Sequence, residues 1–283
     1  MSPAGLKTWE DAVLWLRAQP DQQEIVRAAY YDDPLPVVAA RYRDSLEWAA
    51  VRQLLPDARG KSALDVGAGR GIASFALASE GFSVTALEPD GSSIVGAGAI
   101  RELARVSGLD INVTQDFSET LPFPEQHFDV VFARAVLHHT RNLEQAVREF
   151  YRVLKPGGLL LAIREHVISK DKDLPRFLDA HPLHRYYGGE NAFLLDTYIQ
   201  AIRAAGLHLV RVLGPLDSDI NLAPSTKHSV VQEIARRLSP GRTGQQLIER
   251  LLTAPGAWPV LRALLRLVDH RPGRLYSFVA VRT

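Results

Sequence analysis

The sequence predicts an α/β fold: a doubly wound, seven-stranded, mostly parallel sheet with an N-terminal helical cap and a helical insertion between strands six and seven. Three observations predict it. Between residues 60 and 212, short apolar runs alternate with helical patterns, the signature of a parallel sheet. The first run opens into a turn with glycine at alternate positions, Gly67-Ala68-Gly69-Arg70-Gly71. A last β-like run, Leu275–Val281, follows a long helical stretch and is expected to pair antiparallel beside the sixth strand.

The bulk composition is compatible with this fold. The chain has 283 residues, 46% of them apolar and 23% charged, enough for one large core with additions. The net charge of +1 argues against a global field for nucleic acid. With no cysteine, disulfides, thiolate metal sites and cysteine nucleophiles are excluded. The N-terminus does not read as a signal peptide, and no apolar run approaches the roughly 20 residues of a membrane span. A cytoplasmic protein is the expectation.

Residues 1–58 read as an amphipathic helical cap, broken at Asp33-Pro34-Leu35-Pro36 and resuming through Leu46, Trp48, Val51 and Leu55. The core is expected over 59–213 and 274–283. Its strands are Ser62–Val66, Ser83–Leu87, Ile111–Thr114, Phe128–Ala133, Leu159–Ile163 and Leu207–Leu213, before the closing run. Helices are expected at Ile72–Ser79, Ser92–Val106, Leu143–Val153 and Ala192–Ala205. Lys155-Pro156-Gly157-Gly158 reads as the turn into the fifth strand, and Gly206 as the stop of the last of these helices. Residues 214–273 form the insertion.

The chemistry begins at the end of the first strand. Gly67, Gly69 and Gly71 let backbone amides approach a ligand, because glycine has no side chain to block them. A dinucleotide turn would need its third glycine at position 72, which is Ile72. Asp65 adds a negative charge that a pyrophosphate would not welcome but an ammonium group would. Glu88, ending the second strand, can accept hydrogen bonds from a ribose diol, each charged bond contributing about 1.5–3 kcal/mol. After the third strand, Asp116 can accept from an adenine amino group and Phe117 offers an apolar wall. The fourth strand ends at Ala133, facing the same crevice, where open α/β sheets bind ligands. An ammonium, a ribose and an adenine together specify S-adenosylmethionine (SAM).

On these residues the chain resembles the class I SAM-dependent methyltransferases, which have a Rossmann-like core, and among them the small-molecule, ubiquinone/menaquinone-type group. The resemblance rests on Leu64-Asp65-Val66-Gly67-Ala68-Gly69-Arg70-Gly71, Leu87-Glu88-Pro89-Asp90, Leu121-Pro122-Phe123 with Phe128-Asp129-Val130-Val131, Leu137-His138-His139, and Arg152-Val153-Leu154-Lys155-Pro156-Gly157-Gly158. It covers roughly residues 55 to 165. It implies a reversed last strand, Asp65 and the glycines on the methionine moiety, Glu88 on the ribose, and Asp116 with Phe117 on the adenine.

The acceptor of the methyl group should meet loops leaving strands four and five. Five of the nine histidines fall in such segments: His138, His139, His166, His181 and His184. We expect His139, Glu165 and His166 to act in catalysis, and Tyr31, Arg134, His138, His181, His184 and Tyr187 to line the acceptor. The acceptor atom expected is oxygen, with nitrogen or carbon as alternatives. A metal could use Glu165, His166, His181 and His184, but no family motif supports such a set and no metal is assigned.

The insertion carries nine Lys/Arg against three acids from Lys227 to Arg274, which would suit an anionic acceptor, and its position suggests a lid. In Trp258–Val268, Leu261, Leu264, Leu265 and Val268 form an apolar face expected to pack inward, with Arg262 and Arg266 in solvent. Three rival functions remain. One is a metal-assisted methyltransferase, one a non-catalytic SAM-binding protein, and one an RNA methyltransferase. The last is supported only by the basic insertion, and no nucleic-acid partner is expected.

Overall fold

The computed structural model describes residues 8–181, 184 and 188–283. The cap consists of α1 (Trp9–Arg17), α2 (Gln23–Ala28), α3 (Leu35–Arg43) and α4 (Leu46–Arg52). Thr8 and Asp11 close a reciprocal capping box on α1, and Ser45 caps α4 through the Trp48 amide. The core follows as β1 (Ser62–Val66), α5 (Ile72–Ser79), β2 (Ser83–Leu87), α6 (Ala97–Ser107), β3 (Ile111–Thr114), β4 (Phe128–Arg134), α7 (Leu143–Val153) and β5 (Leu154–Ile168). Next come α8 (Leu174–Ala180), a two-residue β6 (Phe193–Leu194), α9 (Leu195–Ala204) and β7 (Leu207–Leu213). The insertion supplies α10 (Asp219–Leu222), α11 (Lys227–Leu238), α12 (Arg242–Leu252) and α13 (Ala257–Val268), and β8 (Arg274–Arg282) closes the sheet.

The main sheet has the order β3-β2-β1-β4-β5-β8-β7, with β8 antiparallel to both neighbours and the short β6 pairing the end of β5. Two apolar layers cover it. On one face Leu64, Val131, Ala133 and Leu160 pack with Phe150 of α7 and Ile202 of α9. On the other, Ala63, Val130, Phe132 and Ile163 pack with Trp48, Leu77 and Ile100 from α4, α5 and α6. The chain reverses its winding between β1 and β4, which opens a crevice at their carboxyl ends.

Three expected elements are redrawn. The helix expected from Ser92 begins at Ala97, because the Ser92 hydroxyl accepts from the Ile94 and Val95 amides and holds a turn. Gly96 is needed there, since a Cβ would lie 2.2 Å from the Asp90 carbonyl oxygen. The helix expected from Ala192 starts at Leu195, with Phe193 and Leu194 drawn into pairing with Val167 and Ile168. The turn at Lys155–Gly158 is absorbed into β5 with a register shift opposite Phe128 and Val130.

The apolar face of α13 is a correction. Only Leu261 is buried, while Leu264 and Val268 are exposed. The helix docks instead through its charged face, with Arg262 reaching Asp217 at 3.1 Å and Arg266 pairing with the same carboxylate. The nearly buried Asp217 thus helps to orient the helix, together with the buried Leu261. No single helix among the described residues is long and apolar enough to cross a membrane.

Candidate active site

The crevice is built from the end of β1. Gly67, Gly69 and Gly71 all lie at positive φ, where side-chained residues are strained. A Cβ on Gly67 would meet Val136 at 2.8 Å, so the glycine lets the loop after β4 close against the turn. A Cβ on Gly69 would meet nothing within 4 Å and would project into open space. The Gly69 amide donates to Glu88 Oε2 at 2.7 Å and the Asp90 amide to Oε1 at 2.9 Å. Glu88 is therefore held by two loops, with lone pairs left for a ligand.

Asp65 is 1% exposed and has no ion-pair partner among the described residues. The Ser74 hydroxyl donates to its carboxylate at 2.6 Å. Burial, with a smaller push from Glu88 and opposition from Ser74, raises its carboxyl to about 7. Burial likewise lifts Glu88 to about 6, against the two amides that stabilise its charge. Two buried acids with few internal partners favour a cationic, hydroxyl-bearing ligand, and the SAM ammonium and ribose fit that requirement. Asp116 receives the Phe117 amide at 2.8 Å, and Phe117 is exposed beneath the Arg141 guanidinium, 5.4 Å from its ring. The Ala133 side chain is a correction: it is fully buried in the core, so only backbone there could approach the cofactor.

Arg70, inside the glycine turn, ties the cap to the crevice. It donates to the Tyr30 and Asp32 carbonyls at 3.0 and 2.8 Å, to the Ile94 carbonyl, and to the Asp33 carboxylate. Arg134 does not face the acceptor space freely. It forms a two-pronged pair with Glu47 of α4, and its guanidinium lies over Tyr30 and Tyr42. Arg164 stands 3.6 Å from the same carboxylate and donates to the Ile220 and Ala223 carbonyls of the insertion. Burial pulls Glu47 upward, but Arg134 and Arg164 outweigh it and hold the carboxyl below its ordinary range.

Arg164 also explains how the fifth strand serves two sites. It lies at φ 61° in a bulge between Ala162 and Glu165 that interrupts pairing with β8. The bulge sends Arg164 towards Glu47 and turns Glu165 towards the loop after β4. Glu165 is fully buried, accepting from the amides of Val136, Leu137 and His138 at 3.1 Å each and contacting His138 Nδ1 at 2.6 Å. Burial raises its pKa and the three amides oppose the rise. Glu165, expected in catalysis, is placed by these contacts on the loop after β4 and on His138.

The histidines gather as expected, around an acid that the sequence reading missed. His139 is exposed, and its Nδ1 is 2.9 Å from the Gly189 carbonyl oxygen. His166 Nδ1 is 3.1 Å from the Gly273 carbonyl oxygen. Glu190 lies between them, 3.7 Å from His138 Nε2, 3.8 Å from His139 Nε2 and 3.8 Å from His181 Nδ1. Burial depresses His138 well below its usual range, His166 to about 3 and His181 to about 4, so these three rings are neutral near pH 7. Tyr31 lies close enough for the Glu190 charge to act on it, and burial pushes its hydroxyl up to about 12. His184 is partly buried with an unpartnered Nδ1, and Tyr187 lies outside the described residues. Glu47 and Glu190 carried no local motif, and Arg70, although inside the glycine turn, bore no signal of the cap contacts it makes.

Comparison with known proteins finds methyltransferases. Residues 64–162 match the methyltransferase domain family. A ubiquinone biosynthesis O-methyltransferase of Pseudomonas entomophila is 39% identical over 101 residues, 35% of this chain and 42% of the relative. A ubiquinone/menaquinone biosynthesis C-methyltransferase of Pectobacterium atrosepticum is 34% identical over 150 residues, 50% of this chain and 55% of the relative. Among solved structures, geranyl diphosphate C-methyltransferase from Streptomyces coelicolor superposes with a TM-score of 0.60 at 16% identity, covering 97% of each chain, a likeness of fold. The chain spans about half or less of the length of such curated relatives. The fold is that of the class I SAM-dependent methyltransferases, and residues 64–162 are similar in sequence to their methyltransferase domain. The ubiquinone-type methyltransferases are its relatives in sequence.

Proposed function

We propose that the protein transfers the methyl group of SAM to a small-molecule acceptor, with oxygen as the acceptor atom. The observation that carries this reading is Asp65, a buried acid without a cation, set beside glycines that leave open space at Gly69. When bound, SAM supplies an electrophilic methyl group. Asp65 would hold its ammonium, Glu88 its ribose, and Asp116 with Phe117 its adenine.

What remains for the protein is to align the acceptor and exclude water, which lowers a barrier by up to about 7–11 kcal/mol in well-oriented cases. Tyr31, His138 and His181 would shape that space. His139 would take the proton from a hydroxyl acceptor: donation of its Nδ1 hydrogen to Gly189 leaves Nε2 as the basic atom. The insertion is read as a lid, with α10 hung from Arg164. An anionic acceptor has less support, because Arg236, Arg237, Arg262, Arg266 and Arg271 are already ion-paired.

Calorimetry with SAM and with Asp65→Ala tests the cofactor assignment, and labelled methyl transfer to a panel of phenols, alcohols and amines tests the acceptor. Unchanged SAM affinity in Asp65→Ala would overturn the assignment of the loop.

A further inference from the structure

We infer that His166, His181 and Glu190 form a binding site for one divalent first-row transition cation of the zinc or ferrous class. The donor atoms of these three residues lie within 4.8 Å of one another. They come from three separate places in the chain: β5, the end of α8, and the loop before β6. Two imidazoles and one carboxylate with positions left open are a set that suits such ions.

The hydrogen bonding points to a ligand. His181 Nδ1 and Glu190 Oε2 are buried atoms without a hydrogen-bond partner among the described residues. Each such atom destabilises the fold unless something supplies the missing contact. Glu190 has only 9% of its side chain exposed and no Lys or Arg ion pair among the described residues. A buried carboxylate with no Lys or Arg beside it among the described residues lacks a positive charge, and a cation provides it.

The outer contacts are arranged as metal-binding histidines require. The Gly273 carbonyl accepts from His166 Nδ1, which leaves Nε2 with its lone pair free. Across Glu190, His138 and His139 are fixed in the same sense by the Glu165 carboxylate and the Gly189 carbonyl. The His138 Nε2 atom stands 3.7 Å from Glu190 Oε2, in reserve for a fourth position. At metal–ligand bonds of about 2.0–2.1 Å, tetrahedral ligands sit about 3.4 Å apart, so side-chain rotation of about 1 Å would close the shell.

Metal binding does not rest on methyl transfer, and the test keeps the two apart. The full chain is stripped with chelator and titrated calorimetrically with Zn²⁺ alone, and its metal content is measured after gel filtration. Wild type should retain one Zn²⁺ per chain, and Co²⁺ in its place should show ligand-field bands of a histidine-containing site. Glu190→Gln and His181→Ala should each weaken Zn²⁺ by at least about 100-fold, while His208→Gln, exposed on β7, should bind as wild type does. SAM titration of the same samples reports whether each variant is folded. Absence of stoichiometric Zn²⁺ or of perturbed Co²⁺ bands in wild type, or unchanged Zn²⁺ affinity in SAM-competent Glu190→Gln and His181→Ala, would overturn the site. Loss of SAM binding with Zn²⁺ retained would instead count against the methyltransferase reading.

Discussion

Glu47 and Arg134 form a two-pronged ion pair, 2.6 Å at Nε and 3.1 Å at Nη2, that fastens the fourth helix of the cap to the end of β4. With Arg164 at 3.6 Å, one buried carboxylate balances two guanidinium groups at the rim of the crevice. Glu47→Ala should therefore destabilise the protein by about 3–5 kcal/mol, because it strands buried positive charge. A chemical denaturation midpoint within error of wild type would show that solvent already screens the pair.

Asp65 makes cofactor affinity dependent on pH. Its carboxyl is raised to about 7 in the free protein, while a bound ammonium favours the ionised form. SAM affinity should then fall towards tenfold per unit below pH 7, more steeply once Glu88 begins to protonate near 6, and fall again above about 8 as the α-amino group of SAM loses its proton. Asp65→Asn should flatten the first part of this profile. The same shift has a stability consequence with the opposite sign. The folded state binds this proton more tightly than the unfolded chain, so stability of the SAM-free protein from this group is greatest in acid and declines between about 4 and 7. Calorimetry and thermal melts across pH 5–8 check both.

Gly69→Ala and Gly67→Ala should fail in different ways. The methyl of Gly69→Ala enters open crevice and should weaken SAM by about 1–3 kcal/mol, roughly 5- to 150-fold, with the fold retained. That of Gly67→Ala meets Val136 at 2.8 Å and should lower the melting temperature first. Comparing melting temperature with SAM affinity for each variant separates the two.

Glu165 accepts from three amides, so Glu165→Gln should behave much like Glu165→Ala. An amide NH₂ placed opposite an N–H donor cannot replace a carboxylate oxygen. Both variants should lose at least about 3 kcal/mol of stability. A Gln variant of wild-type stability that lost only turnover would restore a proton-transfer role to Glu165.

His139→Ala should lower kcat about 10²- to 10⁴-fold on a hydroxyl acceptor while leaving the SAM Kd unchanged. Phenol acceptors of decreasing pKa should recover part of that loss, since they need less help in giving up a proton. Equal losses across such a series would remove His139 as the base.

Much of this protein is legible along the chain. Ser62–Val66, Ser83–Leu87, Ile111–Thr114 and Leu207–Leu213 are strands with the expected bounds. The alternation of apolar runs and helical patterns is local, and so is the pairing of an acid with a glycine turn at a strand end. Asp65, Gly67, Gly69 and Glu88 could therefore be read as one site before any contact was seen. Tertiary structure decided the rest. Glu47 meets Arg134 across 87 positions, Arg70 reaches back to Tyr30 and Asp33, and Glu190 enters a ring of histidines from a loop without a motif. The bulge at Arg164 turned Glu165 inward, and Asp217 drew Arg262 of α13 towards the protein beside Leu261. Periodicity along a chain reports which way a side chain points within its own element. The partner of a buried charge depends on which distant element the topology brings beside it, and the cost of leaving that charge unpaired then overrides local pattern.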